Sequence, residues 1–289
     1  MDLYELHDHP PLTEPVMITA LEGWIDAGMA GATAMSSILD ATESSLIASF
    51  DTDALLDHRA RRPVMSLDEG HIARLTWPSI ELRATVDEEG RHVLLLVGAE
   101  PDHVWGRFAS SIVELATTLD VRMVIGIGAY PAPLPHTRDT RLAITSPSVE
   151  VMESFTGFFR GTVDVPAGIQ AAIEVGANEA GITSMGLWAQ VPHYISAMPY
   201  PAGSLALLDG ITRVSNVVFP TSRVAEEAAT TRDRLNELIT GNEQHESMVR
   251  QLEELVDSET PMDSGLGPLP TADELAAELQ AFLRDVGDN

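Results

Sequence analysis

The sequence has 289 residues, of which 44% are hydrophobic, and it carries a formal net charge of -27 without any Cys or Lys. A chain of this size can bury one large core, or one core and a small added module. The missing Cys excludes disulfides, zinc–thiolate sites and thiol nucleophiles, and the missing Lys excludes Schiff-base chemistry and a P-loop lysine. The acidic charge disfavours contact with nucleic acids and anionic membranes.

The first residues of the chain lack both the positive region and the apolar stretch of a signal peptide. No apolar run approaches the roughly 18 residues that span a bilayer. We therefore expect a cytoplasmic protein that contacts neither membranes nor nucleic acids. We also expect no cofactor and no structural metal, because the His residues are scattered and Cys is missing.

The first 220 residues alternate between strand and helix patterns. Residues 16–21 are an apolar run that predicts a buried strand, and a small-residue helix follows, with the Asp26 carboxylate placed to cap it. Residues 79–86 and 91–98 alternate on either side of a four-residue turn, which predicts an antiparallel hairpin. The sheet should therefore be mixed rather than purely parallel.

Further predicted elements continue this alternation: helix 102–119, strand 121–127 with a Pro-rich loop at 129–135, strand 141–145, helix 168–180, strand 182–190 and helix 203–210. Their order predicts an α/β fold built as a layered sandwich. The two most clearly buried runs, 16–21 and 121–127, should both be central strands.

From residue 221 the chain changes character, with sixteen acidic residues against five Arg and no strand pattern. We predict an α/β core domain over 1–220 and an acidic helical extension over 221–289. A last helix should begin at Thr271, after a Pro- and Gly-rich segment.

A heptad seam runs along the extension through Ala228, Thr231, Leu235, Leu238, Asn242, His245, Val249, Leu252 and Val256. The seam is typical of a helical arm or hairpin that packs on the core or on another subunit. Asn242 could set the register of such a pair, or Gly241 could end the helix instead.

Common catalytic motifs are incomplete in this sequence. Gly126-Ile127-Gly128 follows a predicted strand but lacks the third Gly of a dinucleotide site. His245-Glu246 lacks the second His of a zinc protease, since Val249 stands in its place. Three other clusters remain as candidate sites.

The first cluster lies at the end of the strand 16–21 and contains Glu22, Gly23, Trp24, Asp26 and Gly28. Ligands tend to bind at this edge of an open α/β sheet. The alternative is purely structural, with small residues that allow close packing and Asp26 as a helix cap.

The second and third clusters each contain Arg side chains. Arg59, Arg61 and Arg62 could grip an anion by paired hydrogen bonds, or could form salt bridges with the chain's own carboxylates. His136, Thr137 and Arg138 follow a predicted central strand, where loop residues often form sites. Hydrogen bonding within that loop is the structural alternative.

These clusters also carry a family resemblance. The first cluster and Pro135-His136-Thr137-Arg138 resemble motifs of the proteasome assembly chaperone 2 family, as does the segment Leu187-Trp188-Ala189-Gln190-Val191-Pro192-His193-Tyr194. The Arg-containing stretch 57–63 is similar to the actinobacterial branch of that family. The resemblance covers roughly residues 16–255.

The resemblance implies a three-layer α/β/α sandwich related to phosphorylase/hydrolase-like folds, and a role through protein–protein contact. It supplies no catalytic residue. Proteasome-binding relatives can end in a hydrophobic–Tyr–any-residue tail, whereas this sequence ends Asp285-Val286-Gly287-Asp288-Asn289. Docking through such a tail is therefore not expected.

Two functions follow from these observations. The first is a non-catalytic binding or assembly module with a protein partner, which could include further copies of the chain in a dimer or trimer. The alternative is a phosphorylase/hydrolase-like enzyme for a small polar or anionic substrate. A deep pocket that joins Trp24, His136, Arg138 and His193 would favour the enzyme, and a flat apolar patch would favour the binding module.

The candidate binding residues come from all of these motifs: Glu22, Gly23, Trp24, Asp26, Gly28, Arg59, Arg61, Arg62, His136, Thr137, Arg138, Trp188, His193 and Tyr194. We expect Trp24, His136 and Arg138 to share one surface depression.

Overall fold

The structure, a computed structural model, describes residues 3–23 and 25–258. Its strands are β1 (Tyr4–Leu6), β2 (Val16–Glu22), β3 (Ser45–Phe50), β4 (Val64–Asp68), β5 (His71–Thr76), β6 (Ile80–Val86), β7 (His92–Ala99), β8 (Met123–Ala132), β9 (Leu142–Thr145) and β10 (Thr183–Pro192). Its α-helices are α1 (Ala30–Ala41), α2 (Thr52–Leu55), α3 (Trp105–Thr118), α4 (Val149–Ser154), α5 (Ile169–Glu179), α6 (Pro201–Ser215), α7 (Ser222–Ile239) and α8 (Glu243–Ser258).

Eight of these strands form one mixed sheet in the order β1-β3-β6-β7-β2-β8-β10-β9. The four central strands β7, β2, β8 and β10 are parallel, and the outer pairings are antiparallel. The carboxyl ends of the four parallel strands therefore open on the same edge of the sheet, hereafter the carboxyl edge.

Alternation along the central strands divides their side chains between two cores. Val16 and Ile18 face a core closed by α1, α6 and α7, whereas Met17 faces a second core with α3 and α5. The predicted three-layer α/β/α class with a mixed sheet is confirmed. The apolar runs at 16–21 and 121–127 are both central strands, as their continuous hydrophobicity predicted.

The predicted bounds of two elements were wrong. Strand β8 does not end at Ile127 but continues through Pro131 to Ala132, because β10 pairs with it in register as far as Pro192. Helix α6 is longer than residues 203–210, since it begins at Pro201 and ends at Ser215. Pro at the first helical position suits this start, because that residue needs no hydrogen-bonded N–H.

The helical extension folds into a hairpin of α7 and α8, hereafter the C-terminal hairpin. Val224, Leu235 and Val249 on its inner face are buried in the same core as α6. Gly241 lies in the turn with φ +92°, and the Asn242 side chain accepts hydrogen bonds from the N–H groups of Gln244 and His245. Asn242 thus caps α8, and the helix ends at the Gly241 turn, which is the alternative to a register-setting role for Asn242.

Two other sequence interpretations concern the C-terminal part of the chain. The division of the chain into domains at residue 220 remains a prediction. The helix predicted from Thr271 lies outside the described residues.

Strands β4 and β5 form a separate two-stranded sheet, hereafter the ribbon. Met65 pairs with Leu75, and Leu67 pairs with Ile72 beyond a β-bulge, which places these four apolar side chains on one face. All four are between 46% and 59% exposed. The sequence interpretation contained no element in this region.

Asp87 lies in the turn of the β6–β7 hairpin and connects that hairpin to the segment that follows α6. Its carboxylate accepts hydrogen bonds from the N–H groups of Val218, Glu89 and Arg91, and from the Arg91 guanidinium at 3.0 Å. Burial opposes ionisation, but these hydrogen bonds outweigh it and lower the pKa of Asp87.

None of the helices in the described part of the chain combines the length and the hydropathy needed to cross a bilayer. Within the same residues, no group of three or more His, Asp and Glu side chains is arranged to hold a metal ion.

Candidate functional site

The first predicted cluster lies at the carboxyl edge, where β2 ends. The Glu22 carbonyl accepts a hydrogen bond from the Glu100 N–H at 2.7 Å, and Gly23 follows with φ +143°. The Arg61 guanidinium and the Glu100 side chain lie so close to Gly23 that a β-carbon there would clash with them. Trp24 lies outside the described residues, so its predicted proximity to His136 remains a prediction.

Asp26 and Gly28 shape the start of α1. The two carboxylate oxygens of Asp26 accept hydrogen bonds from the N–H groups of Gly31 and Ala32 at 2.8 and 2.9 Å, which is the capping role that the sequence indicated. Burial raises the pKa of Asp26 despite these bonds. Gly28 has φ +63°, and a β-carbon there would lie 2.7 Å from the Tyr200 β-carbon, so a larger residue would not fit.

One residue of the arginine cluster forms a partly exposed ion pair, and the other two face solvent. Arg61 pairs with Asp102, which also accepts the Asp57 N–H at 2.8 Å. Burial opposes ionisation of Asp102, but these contacts outweigh it and lower its pKa. Arg59 and Arg62 are exposed. Salt bridging within the chain, the structural alternative, therefore describes Arg61.

His136 lies at the centre of a hydrogen-bonded group between the sheet and the C-terminal hairpin. The residue is 2% exposed, and its ring has Nδ1 at 2.6 Å from the Tyr194 hydroxyl and Nε2 at 3.2 Å from Asn236 Oδ1 of α7. The Tyr194 hydroxyl also accepts the His136 backbone N–H at 2.8 Å. Burial lowers the pKa of His136, which keeps the imidazole neutral near pH 7.

Thr137 and Arg138 contact the acidic face of α8. The Thr137 hydroxyl donates to Glu253 at 2.5 Å, and the Arg138 guanidinium binds Glu253 at 3.0 Å and Asp257 at 2.7 and 2.9 Å. The hydrogen bond to Asp257 raises the pKa of Arg138. The acidic segment that binds Arg138 therefore belongs to the same chain.

The segment 187–194 places its residues on opposite sides of the sheet. Tyr194 and His193 stack edge to face beside His136, with the His193 and Tyr194 ring centroids 5.5 Å apart. Trp188 instead lies over Gly128 of β8 on the side of α5, where its indole N–H donates to the Thr145 hydroxyl at 3.1 Å. The structure therefore brings together His136, Tyr194 and His193 and separates Trp188 from them.

Sequence reasoning missed the partners that complete these contacts. Asn236, Glu253 and Asp257 follow the loop by about one hundred residues or more, and no local pattern connects them to it. Glu174, which interacts with Thr145 beneath Trp188, was also missed. A Glu on the buried face of a predicted helix was the signal that could have identified it.

An expected result tests the contact between Arg138 and α8. Replacing Arg138 by Ala removes both ion pairs, so amide hydrogen exchange in residues 249–258 should become faster. The change should be greater at low salt than at high salt, because exposed ion pairs are screened. Arg250→Ala, which removes an exposed cation from α8 itself, is the control. Equal exchange in both variants would show that Arg138 does not hold the hairpin.

The sequence model of the PAC2 family matches residues 20–239 of the chain. The chain belongs to the PAC2 family. No curated protein matches it. The match includes the first cluster, the loop with His136 and helix α7, so the residues at the carboxyl edge lie within the PAC2 region.

Solved structures extend the comparison. A protein of unknown function from Corynebacterium glutamicum is 31% identical with a TM-score of 0.83, covering 89% of this chain and 97% of its own. A protein of unknown function from Mycobacterium tuberculosis is 33% identical with a TM-score of 0.80, covering 88% of each chain. A proteasome-assembly chaperone homologue from Mycobacterium tuberculosis is 28% identical with a TM-score of 0.74, covering 81% of this chain and 99% of its own.

Proposed function

We propose that this PAC2 protein is a non-catalytic binding or assembly module that acts through protein–protein contact, and that it associates with copies of itself through the ribbon. Its similarity to a proteasome-assembly chaperone homologue supports a chaperone-like role. The apolar face of the ribbon is the observation that carries the proposal.

The ribbon does not bury enough apolar surface to be stable by itself. A two-stranded hairpin is marginal in water unless a further strand or a helix covers it. Here Met65, Leu67, Ile72 and Leu75 expose about half of their surface on one face. Contiguous apolar surface of this kind is typical of protein interaction sites. A partner that covers this face would stabilise the ribbon and be bound by it.

Charge supports a second copy as that partner. The whole chain carries -27, so two copies repel each other wherever acidic surfaces meet. The segment that leads into the ribbon is different, because Arg59 and Arg62 are exposed there. Apolar side chains edged by Arg suit contact with the acidic surface of another copy. A closed dimer or trimer would bury the face in every copy.

The enzyme hypothesis gains no specific support. Both ring nitrogens of His136 already have hydrogen-bond partners, so neither is presented to a substrate. A small anionic ligand at Arg138 would have to displace Glu253 and Asp257. The exposed Arg59 and Arg62 are the cations that such a ligand could reach more readily.

The mass of the protein in solution tests the proposal. The native chain is expected to have two or three times its 31.1 kDa mass. The double substitution Leu67→Ser with Ile72→Ser removes two apolar side chains from the face and should return the mass to that of one chain. Val64→Ser is the control, because Val64 is 68% exposed but lies on the opposite face of the ribbon.

Sedimentation equilibrium distinguishes the outcomes. A native chain with the mass of one copy contradicts self-association through the ribbon, and so does a double variant that keeps the native mass. A control variant that dissociates like the double variant would show that the apolar face itself is not the contact.

A further inference from the structure

One row of residues crosses four strands of the sheet beneath α5. Thr19 of β2 pairs with Gly126 of β8, Gly126 pairs with Gly186 of β10, and Gly186 pairs with Thr145 of β9. A β-carbon at Gly126 would clash with the Gln170 side chain, and one at Gly186 would lie 2.7 Å from Glu174 Oε1. The missing side chains of the two glycines therefore leave space for the polar ends of Gln170 and Glu174.

Glu174 is buried in this row, at 5% exposure, and accepts hydrogen bonds from two neutral groups. Gln170 donates to Oε1 at 3.0 Å and Thr145 donates to Oε2 at 3.2 Å. Thr145 in turn accepts the Trp188 indole N–H at 3.1 Å. The carboxyl group is thus connected through one hydroxyl to edge strand β9 and to Trp188.

No cation faces Glu174 from the described elements packed around it. Strands β8, β9 and β10 contain no charged residue, and Arg107 and Glu114 of α3 are exposed, as is Glu179 of α5. The buried Glu100 is the other charged group near this helix, and its carboxylate accepts the Ile169 N–H at 2.7 Å. A carboxylate buried without a cation is costly, and two neutral hydrogen bonds offset only part of that cost.

We propose that Glu174 is a proton-operated switch. The protonated acid keeps α5 packed on the sheet, and loss of the proton weakens the packing of α5 and of edge strand β9. Burial raises the pKa of Glu174 to about 7, although the hydrogen bonds from Gln170 and Thr145 oppose this shift. A carboxyl group whose pKa is raised by folding binds its proton more tightly when folded. Its contribution to stability is therefore lost as the pH rises from about 4.5 toward 7.

The switch is connected to the carboxyl edge through the first turn of α5. Glu100 accepts the Ile169 N–H through its side chain and donates its own N–H to the Glu22 carbonyl at 2.7 Å. Movement of α5 away from the sheet would break the first of these bonds and release Glu100 beside Gly23. Proton loss from Glu174 would then change the surface around the first candidate cluster.

Amide hydrogen exchange of the full chain, corrected for the intrinsic effect of pH, tests the switch. If Glu174 regains its ordinary pKa when α5 opens, protection of α5 and β9 should fall about tenfold between about pH 6 and about pH 8.5. Glu174→Gln should keep its protection at both pH values, since the amide has no proton to lose. Glu179→Gln, at an exposed site on the same helix, should behave like the native chain.

The native chain alone can overturn the proposal. Equal protection of α5 and β9 at the two pH values would show that Glu174 does not control them, even if the Glu174→Gln variant fails to fold. A Glu174→Gln variant that loses protection as the native chain does would also contradict it.

Discussion

A chain that ends at Pro220 is expected to be far less stable than one that ends at Ser258. The two differ by the C-terminal hairpin, which buries Val224, Leu235 and Val249 against the core. Each fully buried aliphatic side chain stabilises a protein by about 1.5–3 kcal/mol, so the shorter chain should lose roughly 5–9 kcal/mol. That is comparable to the whole stability of many domains, and we expect the shorter chain to be largely insoluble.

Guanidinium unfolding and the soluble yield of the two chains measure this effect. Loss of the hairpin also removes Asn236 from His136 and Glu253 from Arg138, so the loop between β8 and β9 would lose its covering contacts. Equal unfolding midpoints and equal yields would show that the core is complete at residue 220.

Asp87→Ala is expected to lower the free energy of unfolding by about 3–5 kcal/mol, the usual cost of removing one partner of a buried charged group. The substitution leaves the N–H groups of Val218, Glu89 and Arg91 without their acceptor. Glu88→Ala is the matched control, because Glu88 is exposed in the same turn.

The pH dependence of this effect has a definite sign. Folding lowers the pKa of Asp87, so its contribution is complete above its ordinary pKa of about 4 and is lost as the pH falls further. Chemical unfolding should thus show a large difference between native chain and variant at neutral pH and a smaller one in acid. A constant difference across this range would show that the charge of Asp87 is not what stabilises the turn.

The sequence was most informative where local pattern and tertiary environment agree. The apolar run at residues 16–21 became the central strand β2, and the alternation around Asp87 became the β6–β7 hairpin. A run such as 16–21 is buried on both sides of the sheet, so its hydrophobicity alone identifies it. The Asp26 cap was also predictable, because capping depends on residues close in the chain.

Features that depend on distant partners were not predictable. Pro131 argued against a strand, yet β10 supplies a parallel neighbour that extends β8 past it. Arg138 was identified as a candidate binding residue, but nothing near it in the sequence pointed to Glu253. The ribbon was missed, and its apolar face stays about half exposed among the described residues, so no packing on the core marks it.

The contacts of the C-terminal hairpin also determine when, during synthesis, its side chains can cover the carboxyl edge. The acidic side chains that bind Arg138 follow it by 115 and 119 residues. At roughly 5–20 residues per second, a ribosome needs about 6–24 s to make that stretch. The last strand of the sheet ends at Pro192, well before α8 begins, so a nascent chain can complete its sheet while Arg138 still lacks these partners. On a polysome, this interval is when an acidic segment of a neighbouring nascent chain could reach Arg138.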